Sequence, residues 1–367
     1  MEALDGCLIV KRFPFLDWMR GLAVVVMIQC HTFNAFARAD LHDSGPWVLS
    51  QFVGGMAAPL FLFMAGMTMG FQMESLERRE PAWRRRWLTS LRRAGYILAI
   101  AFAFRLTNWI ASLPHAELRE LTKVDILNCM GVSLAALSVA AVFDFRGRVL
   151  FAAAAGLAIA AASPLMVDLP WDHAPALLKD YLVPHPGRGH FPFFPCASYA
   201  AFGLATGALV KRSPAEHFDR LMQWCVLIGF PLIFAAQYFS NIPYSVYSRS
   251  DFWTDSPALI LIRAGVMLLM MSGAYLWTEY CADAGWSWMQ CLGKNSLMVY
   301  WVHVMLVYGN IAKWFKGNLT IAQTTLATIA VMLLMLAMSV AWLRRKARRA
   351  ERWKLSTTPA RGPAPAV

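Results

Sequence analysis

The feature that most limits what this chain can fold into is a succession of ten apolar windows, each long enough to cross a hydrocarbon layer about 30 Å thick. They fall at 14–36, 48–73, 88–110, 125–143, 149–167, 192–210, 221–240, 257–280, 293–313 and 320–343. Hydrocarbon offers the backbone no hydrogen-bonding partner, so such segments satisfy their own amides and carbonyls as α-helices. The expected fold class is all-α, a polytopic membrane helix bundle of about ten transmembrane helices. Composition agrees: 58% of the 367 residues are hydrophobic and only 15% are charged, with a mean hydropathy of +0.46. A soluble domain of ordinary make-up is far less apolar.

A net charge of +12 would suggest nucleic acid in a soluble protein. Here the basic residues cluster in short segments between apolar windows, the pattern of the positive-inside rule, and no nucleic-acid partner is expected; anionic membrane lipids are. An even number of spans puts both termini on one side. That side carries Lys11 and Arg12, the run from Arg78 to Arg93, Arg146 and Arg148, then Lys211, Arg212, Arg220 and Lys294, and finally the tail from Arg344 onward. The bias is 23 basic residues to 8, so this side reads as cytoplasmic. Residues 1–13 are then a cytoplasmic N-terminus, 14–343 one transmembrane domain, and 344–367 a basic cytoplasmic tail, disordered at its end. The first window closes on Ala37-Arg38-Ala39, which has the look of a leader cleavage site, but it carries Asp17, Arg20 and His31 and reads as a retained span. The seven cysteines form no CxxC pair, which argues against a disulfide framework and a zinc site, and no metal is expected.

An ionisable side chain in hydrocarbon costs from ~2.5 kcal/mol upward, so each one inside a window needs a partner, a water-filled cavity or a task. The first window has several. Arg20 and His31 are eleven positions apart, which on a helix leaves them about 20° apart around the axis and roughly 16 Å apart along it. Asp17 lies a turn before Arg20 and Asn34 nearly a turn after His31, so the four form one polar stripe. The bland reading is a buried Asp–Arg pair with a hydrogen-bonded histidine; the sharper one is a substrate channel with Arg20 near the cytoplasm and His31 in the outer half.

The window 293–313 holds Asn295 and Ser296 at its cytoplasmic mouth, where they can cap a helix, and His303 deeper. Arg105, Asp125, Asn128 and Arg263 are the remaining interior polar groups, and Asp125 is a natural partner for Arg105 or Arg263. The run Phe191-Pro192-Phe193-Phe194-Pro195 reads as an interfacial aromatic belt or as the lip of a pocket.

The segment Leu16-Asp17-Trp18-Met19-Arg20-Gly21-Leu22-Ala23, with His31 eleven residues after Arg20, resembles the Arg-x10-His first-helix motif of membrane-bound acyltransferases. Ala58–Gly66, Val124–Gly131 and Phe191–Pro195 resemble bacterial members of the heparan-α-glucosaminide N-acetyltransferase group, and Gly293–His303 is similar to the lysosomal enzyme of that group. The matches run in order from residue 13 to about 309.

The resemblance implies transfer of an acetyl or other acyl group from cytoplasmic acyl-CoA, acetyl-CoA above all, to a hydroxyl or amine of an extracytoplasmic glycan or glycolipid. It also implies a multi-pass protein of the bacterial inner membrane. Arg20 with Arg84, Arg85, Arg86, Arg92 and Arg93 would hold CoA phosphates. His31 would be the general base, with Asn34 or His303 orienting it or stabilising the oxyanion; an acyl-histidine route stays open. The lysosomal enzymes place asparagine where His31 stands and their active histidine eleven residues later, which here is His42. A transporter or flippase for a lipid-linked sugar, with His31 relaying protons, is the competing reading. The oligomeric state, a homodimer included, is not fixed by the sequence.

Overall fold

The computed structural model describes residues 13–113, 117–171, 173–184, 191–244, 246–282 and 285–357. Helix α1 (Pro14–Phe36) opens on a proline at its first turn, where the missing N–H costs nothing. α2 (Gly45–Gly54) runs almost directly into α3 (Ala57–Glu77), and α4 (Trp83–Ala111) follows. α5 (Ile126–Leu137) starts with a capping box. The Asp125 carboxylate accepts from the backbone N–H groups of Leu127 and Asn128, and the Asn128 side chain reaches back to the backbone of Asp125. Then come α6 (Phe145–Asp168), the short α7 (Ala176–Leu182), α8 (Phe193–Arg212), α9 (Phe218–Ser240) and α10 (Pro257–Leu276), with α11 (Trp288–Lys294), α12 (Ser296–Tyr308) and α13 (Ile321–Thr357) last.

All ten apolar windows fall largely on helix, and among the described residues seven helical stretches are long and apolar enough to cross a membrane. The other three windows differ for identifiable reasons. α1 has the length, at 23 residues, but its polar stripe dilutes its hydropathy. α5, even with the 3-10 turn Ser138–Val142 that extends it, and α12 belong to a shorter class of 10–17 residues. The window 293–313 is not one span. It breaks at Asn295, whose backbone leaves helical geometry, and again after Tyr308, where a 3-10 turn at Asn310–Ala312 follows. Asn295 does not cap α12 with its side chain; its amide donates to the carbonyls of Cys291 (3.2 Å) and Ser339 (3.3 Å), tying α11 to α13. At the other end of the chain, α13 carries the basic segment beyond residue 343 as continuous helix to Thr357.

α1 lies inside the bundle. It packs against α2, α3, α10, α11, α12 and α13, and Met19, Ala23, Val24 and Ile28 are fully buried on it. Its outer end is closed off by the chain leading into α13: Gly317 and Leu319 donate to the carbonyls of Ala35 and Phe36, and Arg38 donates to Leu319. These bonds satisfy carbonyls that a helix end leaves open. Gly317 turns the chain there with a φ of 66°, a left-handed conformation that costs glycine nothing.

Two close crossings set the inner packing. The α3–α8 crossing is built on Gly66-x-x-x-Gly70 facing Gly203-x-x-x-Gly207; a Cβ on Gly66 would run into the Ala200 carbonyl, and one on Gly203 into the Phe63 carbonyl. Small residues at this spacing let two backbones touch where lipid gives no hydrophobic drive for association. The α1–α11 crossing uses Gly21 against Met289 and Gly293 against the Asp17 carbonyl in the same way. On the face that the charge bias assigns to the cytoplasm, Arg148 of α6 is wholly buried. Its guanidinium pairs with Glu74, with Glu77 at 2.9 Å, and with the carbonyls of Ala140 and Phe143.

Two stability predictions follow from this packing. Gly66→Leu or Gly203→Val should lower thermal stability in detergent by at least the ~1–3 kcal/mol typical of overpacking, whereas Gly273→Ala, with open space around it, should be neutral or stabilising by up to ~1 kcal/mol. Equal behaviour of the three variants would refute the crossing. Arg148→Leu should cost about 3–5 kcal/mol by stranding Glu74, and Arg148→Leu combined with Glu74→Leu should recover much of it.

Candidate active site

The candidate site is built from the polar residues that the helices bring to one cavity. It has a volume of about 1190 Å³ and is walled by the outer halves of α1, α3, α4, α8, α10 and α12 together with α2 and the start of α5. His31, Arg105, Asp125 and Arg263 line it, with Cys30, Gln51, Tyr199, Trp253, Tyr300 and Tyr308. All of these belong to the half of the bundle that the charge bias places outside.

His31 is half-buried in this wall. Behind it, fully buried, lies His303 of α12. The two rings are nearly coplanar, 11° apart, and the His31 Nδ1 to His303 Nε2 distance is 2.9 Å. His303 Nδ1 in turn lies 2.8 Å from the Val299 carbonyl. A carbonyl oxygen only accepts, so Nδ1 of His303 must carry the proton that it donates to Val299. In the neutral ring Nε2 of His303 is then the acceptor, and Nδ1–H of His31 donates to it. That fixes the tautomer of His31 with its basic lone pair on Nε2, the arrangement required of a general base. Tyr308 meets the His31 ring edge-on at 5.4 Å between centroids.

Across the cavity, Arg105 of α4 pairs with Asp125 at 3.0 Å, one of the two partnerships that the sequence left open. Asp125 thereby caps α5 and neutralises Arg105 at once. Asn128 donates to the Tyr181 hydroxyl at 3.1 Å. Arg263 takes no share of Asp125; its guanidinium sits beside the Tyr199 hydroxyl and against Gly55. Phe191, Pro192 and Pro195 line the cavity, so this run forms part of a pocket wall rather than a lipid-facing belt alone.

Several residues singled out in the sequence lie elsewhere. Asn34 is exposed and turned to Cys30 at 3.6 Å. His42 is stacked on Trp47, 4.6 Å between centroids, in the turn after α1. Neither lines the cavity. Arg20 lies at the inner half, hydrogen-bonded to Asp17 and Thr68, each at 3.2 Å. Arg93 donates to Gln72 at 2.6 Å and is close enough to feel the charge of Arg20. Arg84 stacks over Trp83, exposed Arg85 faces Glu80 at 3.6 Å, Arg92 is exposed and Arg86 is buried. Successive helical residues diverge by about 100°, so Arg84, Arg85 and Arg86 point in different directions, while Arg85 and Arg92, like Arg86 and Arg93, return to similar faces. The sequence reading passed over Tyr199, Trp253 and Tyr308, because an aromatic residue in an apolar window carries no signal distinguishing a site from a core.

Residues 13–342 match the acyltransferase domain family known as acyltransferase 3. No curated protein matches the chain. The match runs from the start of α1 well into α13 and therefore takes in the whole bundle and both histidines. The chain belongs to this family, and it is a multi-pass membrane acyltransferase.

Proposed function

We propose that this acyltransferase moves an acetyl or other acyl group from cytoplasmic acyl-CoA to a hydroxyl or amine of an extracytoplasmic glycan or glycolipid, with His31 as general base. The observation that carries the reading is the position of His31 in the wall of the outward cavity with its ring held by His303 and Val299. His42 has no comparable setting.

In the proposed step, Nε2 of His31 takes the proton from the acceptor O–H or N–H as the acceptor's lone pair attacks the thioester carbonyl. The C–S bond then breaks, and the proton held on His31 passes to the departing thiolate. The products are free CoA and the acylated acceptor. His303 is fully buried and acts through His31, as a positioning residue that also shares the charge developing on the ring. Arg20 and Arg93 are the two arginines of the expected donor set that come together, at the cytoplasmic half. The pantetheine arm is of the same order of length as the roughly 16 Å that separates Arg20 from His31 along α1. Charge-assisted bonds to donor phosphates suit that end, and an outward acceptor suits the other.

Membranes incubated with radiolabelled acetyl-CoA should place label in a polysaccharide or lipid fraction, and His31→Ala should lower this transfer by about 10²- to 10⁴-fold. Full activity in His31→Ala would sink the assignment, and loss in His42→Ala alone would move it to His42. His303→Ala should reduce kcat with little change in KM, and the double variant should lose no more than His31→Ala alone, since the two rings act as one unit. Additive losses would show that His303 works independently of His31.

A further inference from the structure

Among the cations that line the cavity, Arg263 stands out. Arg105 has Asp125, but no carboxylate pairs with Arg263 among the described residues. What lies beside the Arg263 guanidinium is the hydroxyl of Tyr199. Tyr199 is 2% exposed, lines the same cavity, and its hydroxyl has no properly formed hydrogen-bond partner. A charged group at membrane depth and a buried polar atom are each costly when unmatched. Here both costs fall at one spot, and both groups offer donors to the same space. Gly55 keeps that spot open, since a Cβ there would come within 3.0 Å of an Arg263 nitrogen. Lys123, between the turn at Leu118–Thr122 and α5, also lines the cavity, as does Glu120.

We propose that Arg263 and Tyr199 form an anion-binding subsite in the cavity wall, which takes a carboxylate or phosphate carried by the acceptor. This rests on the acyl-transfer reading only in naming the bound molecule as acceptor. The guanidinium presents a planar fork of N–H donors that matches either anion, and the Tyr199 O–H supplies a further donor. The acceptor is then an acidic or phosphorylated sugar unit, and its charge fixes which hydroxyl or amine reaches His31.

The test uses the purified full chain in nanodiscs of zwitterionic lipid, at constant ionic strength, with glucuronate, glucose 6-phosphate and neutral methyl glucoside as probes. Ligand-induced thermal shift reads binding, and CoA release from acetyl-CoA reads turnover. At least one anionic probe should bind about tenfold or more tightly than the neutral sugar, the scale of one charge-assisted hydrogen bond. Arg263→Gln should abolish that preference, Arg263→Lys should retain part of it, and Tyr199→Phe should weaken it. Comparing the two anions shows whether the group is carboxylate or phosphate. Equal binding of charged and neutral probes by the unaltered protein overturns the subsite. So does an Arg263→Gln variant that slows turnover of charged and neutral acceptors alike, the signature of an oxyanion or purely structural role. Anion binding that is lost in Arg263→Gln, with no CoA release under any condition, would uphold the subsite and refute the acyl-transfer reading.

Discussion

Charge is expensive in hydrocarbon, and the arrangement of this bundle follows from where α1 puts it. A helix bearing Asp17, Arg20 and His31 cannot face lipid on that stripe, so it must be surrounded by protein. The structure surrounds it on all sides, with α2, α3, α10, α11, α12 and α13 in contact. Each polar group on the stripe then finds a neighbour: Asp17 and Thr68 for Arg20, and His303 for His31. The central helix has the length of a span but is not among the seven stretches apolar enough to be one by composition. Its polarity divides into an inner cluster around Arg20 and an outer cavity around His31.

Such an interior also needs helices that approach closely where no cavity is wanted. Glycine does this work at the α3–α8 and α1–α11 crossings, where backbone meets backbone. Phe61, Phe104, Trp253 and Tyr300 line the outer cavity, whose apolar walls with a few placed polar groups have the make-up of a small-molecule site.

Much of this was legible in the sequence, and what was not has physical causes. The helical windows and the charge bias are properties of local composition, which lipid reads almost independently of tertiary structure. The Arg105–Asp125 pair was legible because a buried charge must have a partner and few candidates exist. The break at Asn295 was hidden, since its cause is an amide that finds the Ser339 carbonyl 44 residues away. The separate surroundings of the six arginines of the expected donor set follow in part from helix geometry, since consecutive residues on a helix point in different directions. The cavity membership of Tyr199 depends on how α8 is rotated, and that of Trp253 on how the turn before α10 folds over the outer face, which no local pattern encodes.

The direction of the histidine relay follows from the Val299 carbonyl alone. That oxygen can only accept, so the His303 ring must offer it a proton from Nδ1, and the opposite nitrogen is then left to accept. With His303 neutral, its Nε2 accepts from Nδ1–H of His31 across 2.9 Å, and its orientation is locked by the helix that carries it. In the role proposed for it, His31 oriented in this way needs no carboxylate behind it. The backbone of α12 supplies the fixed dipole that a carboxylate would otherwise provide, at a depth in the membrane where a second charge would be hard to keep.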